Sequence, residues 1–180
     1  MRPMVLVTGA CGNVGAATVA ELVDRGLRVR ALDLPTKANR AVAAGFSARV
    51  DRCWGSITDR DLLARALGGV DHVLHLAAVI PPATDADQLA AYAVNVGGMR
   101  ALVDAAEGAA GRPGVTFTST AQVYGRNAEA TAPRSTDEQV HPEDTYARQK
   151  VECEALLAAS DLRWTVFRLG MTPPVALVPI

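Results

Sequence analysis

The fold is decided at Val5-Leu6-Val7-Thr8-Gly9-Ala10-Cys11-Gly12-Asn13-Val14-Gly15, residues 5–15, where a short apolar run breaks into three glycines spaced three apart. The next stretch, Asn13 to Arg25, sets Val19, Leu22 and Val23 on one face of a helix. The whole therefore reads as a buried strand that turns sharply into a helix. Gly9 permits the tight turn, Gly12 lets backbone approach a pyrophosphate, and Gly15 lets helix and sheet touch. Behind the glycines, the helix N-terminus offers N–H groups and partial positive charge to an anion, with Asn13 and Val14 in its first turn.

Outward from this loop the same alternation repeats. Arg28–Asp33, Ala48–Asp51, Asp71–Leu76, Gly114–Ser119 and Arg163–Leu169 read as strands. Helices are expected at Lys37–Ala44, Asp59–Leu67, Asp85–Glu107 and Glu143–Ala159, with a polar, turn-rich loop over 125–141. Single helices between strands mean right-handed βαβ units, so the expected fold is α/β, a doubly wound parallel sheet of Rossmann-like form. One domain is expected over 1–170. The apolar, proline-rich residues 171–180 then read as the start of a truncated or reduced C-terminal substrate region.

Composition narrows the partners. Among 180 residues, eighteen basic and nineteen acidic side chains give a formal charge of −1, which lacks the basic face that a nucleic-acid binder needs and the polybasic segment of a membrane-surface protein. No run of eighteen apolar residues suggests a membrane span. Cys11, Cys53 and Cys153 form no CxxC pair and no metal-ligand spacing with His72, His75 and His141. No metal is expected, and free thiols point to a reducing, cytoplasmic setting.

Asp33 ends the second strand eighteen residues after Gly15, where a dinucleotide fold places an acid on the adenosine ribose. A 2′-phosphate there would meet like charge at up to about 4 kcal/mol for a pair 4 Å apart, so the expected cofactor is NAD over NADP. Tyr146 and Lys150 lie four apart on one helical face. With only three tyrosines and two lysines in the chain, chance gives this spacing in roughly 3 chains of 100. A neighbouring ammonium is expected to draw the tyrosine from its ordinary pKa near 10 toward operating pH, making it a general acid/base. Ser119 and Thr120, at the C-terminal end of the fifth strand, are the candidate hydroxyls for a substrate; capping their own turn is the alternative use.

Together these residues resemble the extended short-chain dehydrogenase/reductase family, the NAD-dependent epimerases and dehydratases. TGACGNVG matches its TGxxGxxG, His75-Leu76-Ala77-Ala78 its HLAA, Asn95-Val96-Gly97-Gly98 its NVxGT, STAQVYG its SSxxVYG and YARQK its YxxxK. The resemblance implies Tyr146 as general acid/base, Lys150 as ribose ligand, and Thr120 as the substrate hydrogen bond. It places Leu76, Ala77 and Ala78 along the cofactor, backbone at Ile57 against adenine, and Asn95 in support of the site. Ser56 stands where the family often has an aspartate, Gln149 where it commonly has a serine, and Glu138 in a loop that resembles the one facing a sugar nucleotide.

Sugar-nucleotide dehydratases of this pattern carry acids where this chain has Ala121 and Gln122. That speaks against dehydration; the resemblance implies epimerisation of a nucleotide sugar by transient hydride transfer, which needs the same groups as a simple dehydrogenation. Net dehydrogenation or ketone reduction of a non-sugar alcohol is the alternative, and a non-catalytic dinucleotide-sensing module is another. The stripe Leu89, Tyr92, Val96, Met99, Val103 and Ala106 runs along the expected long helix. It serves either packing on the sheet or the homodimer contact that the resemblance implies.

Overall fold

A computed structural model describes residues 2–126 and 133–170. Six parallel strands form one sheet in the order β3-β2-β1-β4-β5-β6. They are β1 (Met4–Thr8), β2 (Arg28–Asp33), β3 (Asp51–Trp54), β4 (His72–His75), β5 (Gly114–Thr120) and β6 (Trp164–Leu169). The helices are α1 (Asn13–Asp24), α2 (Lys37–Ala44), α3 (Arg60–Ala66), α4 (Ala83–Ala86), α5 (Gln88–Tyr92), α6 (Gly98–Gly108) and α7 (Thr145–Ala158). The expected doubly wound sheet is observed. The 171–180 region lies outside the described residues.

Strand alternation builds two cores. Val5, Val7, Val29 and Ala31 point to one face and meet Val19, Leu22 and Val23 of α1. Leu6, Leu32, Val73, Val115 and Phe117 point to the other and meet Leu62 and Leu63 of α3, Met99 and Leu102 of α6, and Cys153 and Leu157 of α7. The sheet order reverses between β1 and β4, so the helices after these two strands leave in opposite directions. A crevice opens there at the carboxyl ends of the strands.

Two expected elements differ. The third strand lies at Asp51–Trp54, pairing Arg30↔Asp51 through Asp33↔Trp54, because Ser47 to Val50 close a turn first (Val50 N–H to Ser47 O, 3.0 Å). The single helix over 85–107 is instead three pieces. Asp87 leaves helical geometry at φ −144° and its carboxylate caps α5 by accepting from Ala90 N. Ala93–Gly97 then widens into a π turn before α6. Of the proposed stripe, Val96, Met99, Val103 and Ala106 are buried in the protein itself, whereas Leu89 and Tyr92 are exposed.

Candidate active site

Four helices start under a side-chain cap: Thr36 over α2, Asp59 over α3, Asp87 over α5 and Asp144 over α7. α1 starts at Gly12, which has no side chain to offer. Its first turn instead faces a cleft of about 670 Å³ at the strand carboxyl ends. The loop before it is forced by close approach. Gly9 has φ +67°, and a Cβ there would sit 2.7 Å from Ala77 N. A Cβ on Gly15 would sit 2.1 Å from Gly9 O.

Thr8 and His75 tie this loop to the end of β4. Thr8 Oγ1 accepts from Leu76 N (3.2 Å) and Ala77 N (3.3 Å) and shares a hydrogen bond with His75 Nδ1 at 2.8 Å. Burial, aided by the Lys150 charge, pushes the imidazole pKa down to about 3.

Gly9, Gly12, Asn13, Val14, Gly15, Leu76, Ala78, Thr120, Tyr146 and Lys150 all line the one cleft, with Ile80, Pro81, Ser119 and Gln122 between them. The remaining expected residues sit behind or beside it. The Asp33 carboxylate accepts from Cys11 N (2.8 Å), Leu34 N (2.8 Å) and Asn39 Nδ2 (2.9 Å), so it braces the glycine loop from the end of β2. Ala77 gives its N–H to Thr8 and packs on Gly9. Ile57 is in the core, and Asn95 is buried behind the loop after β4. Glu138 is paired with Arg134.

The reactive groups gather on α7 and β5. Lys150, buried, donates to Thr118 O at 2.8 Å and lies 4.5 Å from the Phe117 ring centroid and 5.4 Å from that of Tyr146. Burial pulls its pKa down to about 8. The expected lowering of the Tyr146 pKa by Lys150 is not seen in the protein alone. Burial first, then Asp144 and Cys153, pushes the phenol up to about 12, so Tyr146 holds its proton at neutral pH. Thr120 Oγ1 accepts from Gln122 N at 3.2 Å, and thus also caps the 3₁₀ turn Ala121–Tyr124. Ser119 Oγ, buried beside it, has no hydrogen-bond partner among the described residues.

Sequence reading missed the Thr8–His75 bond and Asn39. No local signal marks them, because each depends on a partner brought by the fold. The residues fit a dinucleotide: a helix N-terminus without a side-chain cap and glycines that a Cβ would close, both on the wall of the cleft. Among the described residues no group of three or more His, Cys, Asp or Glu could hold a metal ion, and no helix is long and apolar enough to cross a membrane.

Comparison with known proteins agrees with this geometry. The model of the NAD dependent epimerase/dehydratase family matches residues 5–172. A 3 beta-hydroxysteroid dehydrogenase/Delta 5→4-isomerase of Mycobacterium tuberculosis is 33% identical over 162 residues, which are 87% of this chain and 42% of that protein. The UDP-glucose 4-epimerase of Neisseria meningitidis serogroup C is 31% identical over 185 residues, 95% of this chain and 53% of the other. Among solved structures, a short-chain dehydrogenase/reductase superfamily protein from Agrobacterium tumefaciens with bound NAD superposes with a TM-score of 0.77 at 34% identity. That match covers 92% of this chain and 48% of the other. The chain thus spans about half the length of the relatives it matches.

Proposed function

Because this chain belongs to the NAD dependent epimerase/dehydratase family, we propose that its cleft binds NAD and serves hydride transfer at a secondary alcohol, with Tyr146 as general acid/base. The observation that carries this reading is the convergence of Tyr146, Lys150 and Thr120 with the glycine loop on one cleft. Bound NAD would supply the hydride acceptor and, when oxidised, a positive charge beside the phenol. Gly9, Gly12, Asn13, Val14 and Gly15 would hold the pyrophosphate, and Asp33, at the end of β2, the adenosine ribose. Thr120 would orient the substrate oxygen. Tyr146, protonated at neutral pH, is set to donate to a substrate carbonyl oxygen, and takes the proton back when an alcohol is oxidised. The Lys150 ammonium stabilises the phenolate that donation leaves behind.

We take a nucleotide sugar as the substrate and epimerisation at its secondary alcohol as the reaction, supported by the similarity to a UDP-glucose 4-epimerase. Net dehydrogenation of a non-sugar alcohol is the second reading. It is favoured by Ile80, Pro81 and Leu169 on the cleft wall and by the similarity to a hydroxysteroid dehydrogenase. A homodimer through the face bearing Leu89 and Tyr92, in a cytoplasmic setting where three free thiols persist, goes with either reading.

The test offers UDP-hexoses and hydroxysteroids to the protein with NAD. Inverted sugar without accumulating NADH supports epimerisation, and stoichiometric NADH supports dehydrogenation. Tyr146→Phe is expected to lower turnover at least a hundredfold with NADH affinity within about threefold of wild type; unchanged turnover would remove Tyr146 from the chemistry.

A further inference from the structure

We infer that Gln149 is a positioning residue that clamps the wall of the cofactor cleft to the helix carrying Tyr146 and Lys150. The wall is the segment after β4, which places Leu76, Ala78, Ile80 and Pro81 along the cleft. At its centre Val79 is read on both backbone groups by one side chain: Asn95 Oδ1 accepts from Val79 N at 2.7 Å, and Asn95 Nδ2 donates to Val79 O at 2.9 Å. The second N–H of that amide donates to Gln149 Oε1 at 2.7 Å. Each polar atom of the Asn95 side chain is thus engaged, and Asn95 and Gln149 are both buried.

The geometry makes Gln149 more than a neighbour. Flipping the Asn95 amide would set its NH2 against Val79 N–H and its oxygen against two other oxygens, so the three bonds stand or fall together. Gln149 lies three residues after Tyr146 and directly before Lys150. Four residues on, the Cys153 thiol donates to Asn95 O at 3.3 Å. α7 therefore grips residue 95 twice, by its side chain and by its main chain, at the π turn that interrupts the helical run. A serine at 149 lacks the reach for this bond, because its hydroxyl sits two atoms closer to the backbone. The clamp fixes the distance between the wall and the reacting groups of α7, which is the dimension that a nicotinamide ring must fit. Its consequence for the cofactor rests on the reading of the cleft given above.

The test compares wild type with Gln149→Met, which keeps the volume and removes the acceptor, and Gln149→Glu, which restores an acceptor oxygen at the same reach. Two readouts are taken: hydrogen exchange of the Val79 amide by NMR, and NADH affinity. In Gln149→Met the Val79 amide is expected to exchange about tenfold faster, with amides in the middle of α7 unchanged, and the NADH Kd to rise about fivefold or more. Gln149→Glu is expected to return both to within about twofold of wild type. Wild-type Val79 exchange in Gln149→Met overturns the inference. So does protection lost evenly across α6 and α7, which would make Gln149 a general support of the fold. Wild-type protein that binds no NADH contradicts the cofactor reading instead, and the Val79 amide still decides on the clamp.

Discussion

Burial holds the Lys150 ammonium at about 8, well under its ordinary 10.5, and the direction of that shift fixes its effect on stability. The unfolded chain takes up this proton first as pH falls from 10.5 to 8, so the folded state loses stability over that window and keeps the deficit below it. At about 1.4 kcal/mol per unit, the cost at pH 7 is roughly 3 kcal/mol, partly offset by the bond to Thr118 O. Lys150→Met is therefore expected to be more stable than wild type at pH 7 by about 1–2 kcal/mol in urea melts, with the gap closing as pH rises above 8 and reversed by 10.5. A less stable variant at pH 7 would contradict this reading. A site residue that weakens the fold is expected where a charge must wait, buried, for a ligand. Tyr146 shows the same economy from the other side: the Tyr–Lys spacing was legible in the sequence, but the phenol pKa was not, since burial outweighs an ammonium already committed to a carbonyl.

Elements carry the next level of the site. β2 ends on Asp33, whose carboxylate joins the glycine loop at Cys11 to α2 at Asn39. Asp33→Ala removes three accepted N–H bonds. It is expected to lower stability by about 2–3 kcal/mol and to weaken NADH binding at least tenfold, measured by denaturation and by titration; a variant with wild-type NADH affinity would deny Asp33 a part in the cofactor site. The strand–glycine–helix passage at 5–15 could be read directly because turn, close approach and helix start are all local demands on residue type. The helix expected over 85–107 could not. Its break at Asp87 and its π turn at Ala93–Gly97 are settled by a side-chain cap and by Val79 and Gln149, sixteen and fifty-four residues from Asn95. Periodicity carried unbroken through 89–106 therefore credited one stripe with two roles: Val96 and Met99 pack inward, whereas Leu89 faces out. β3 was misplaced for a related reason. It is an edge strand of half-exposed and exposed residues, without the apolar run that marked the central strands.

At the scale of the molecule, a parallel sheet with two cores brings the proposed reactive groups to one edge, the carboxyl ends of β1, β4 and β5. Alternation of strands and helices made the doubly wound parallel sheet legible; the strand order that opens the crevice between β1 and β4 and the wall of Ile80 and Pro81 were not, because they depend on how the elements pack and on how the chain is held after β4. On the α1 side of the sheet, Thr165 and Phe167 of β6 are exposed, the latter at 54%, and no described helix covers them. The most direct test of the site is a titration with NADH and, separately, NADPH, following energy transfer from Trp54 and Trp164 to the bound nicotinamide. Trp54 ends β3 opposite Asp33, beside the arm of the site that would hold the adenosine. Saturable binding of NADH, with NADPH at least tenfold weaker, is the predicted result. Binding of neither, or of NADPH as tightly as NADH, would contradict the assignment of this cleft to NAD.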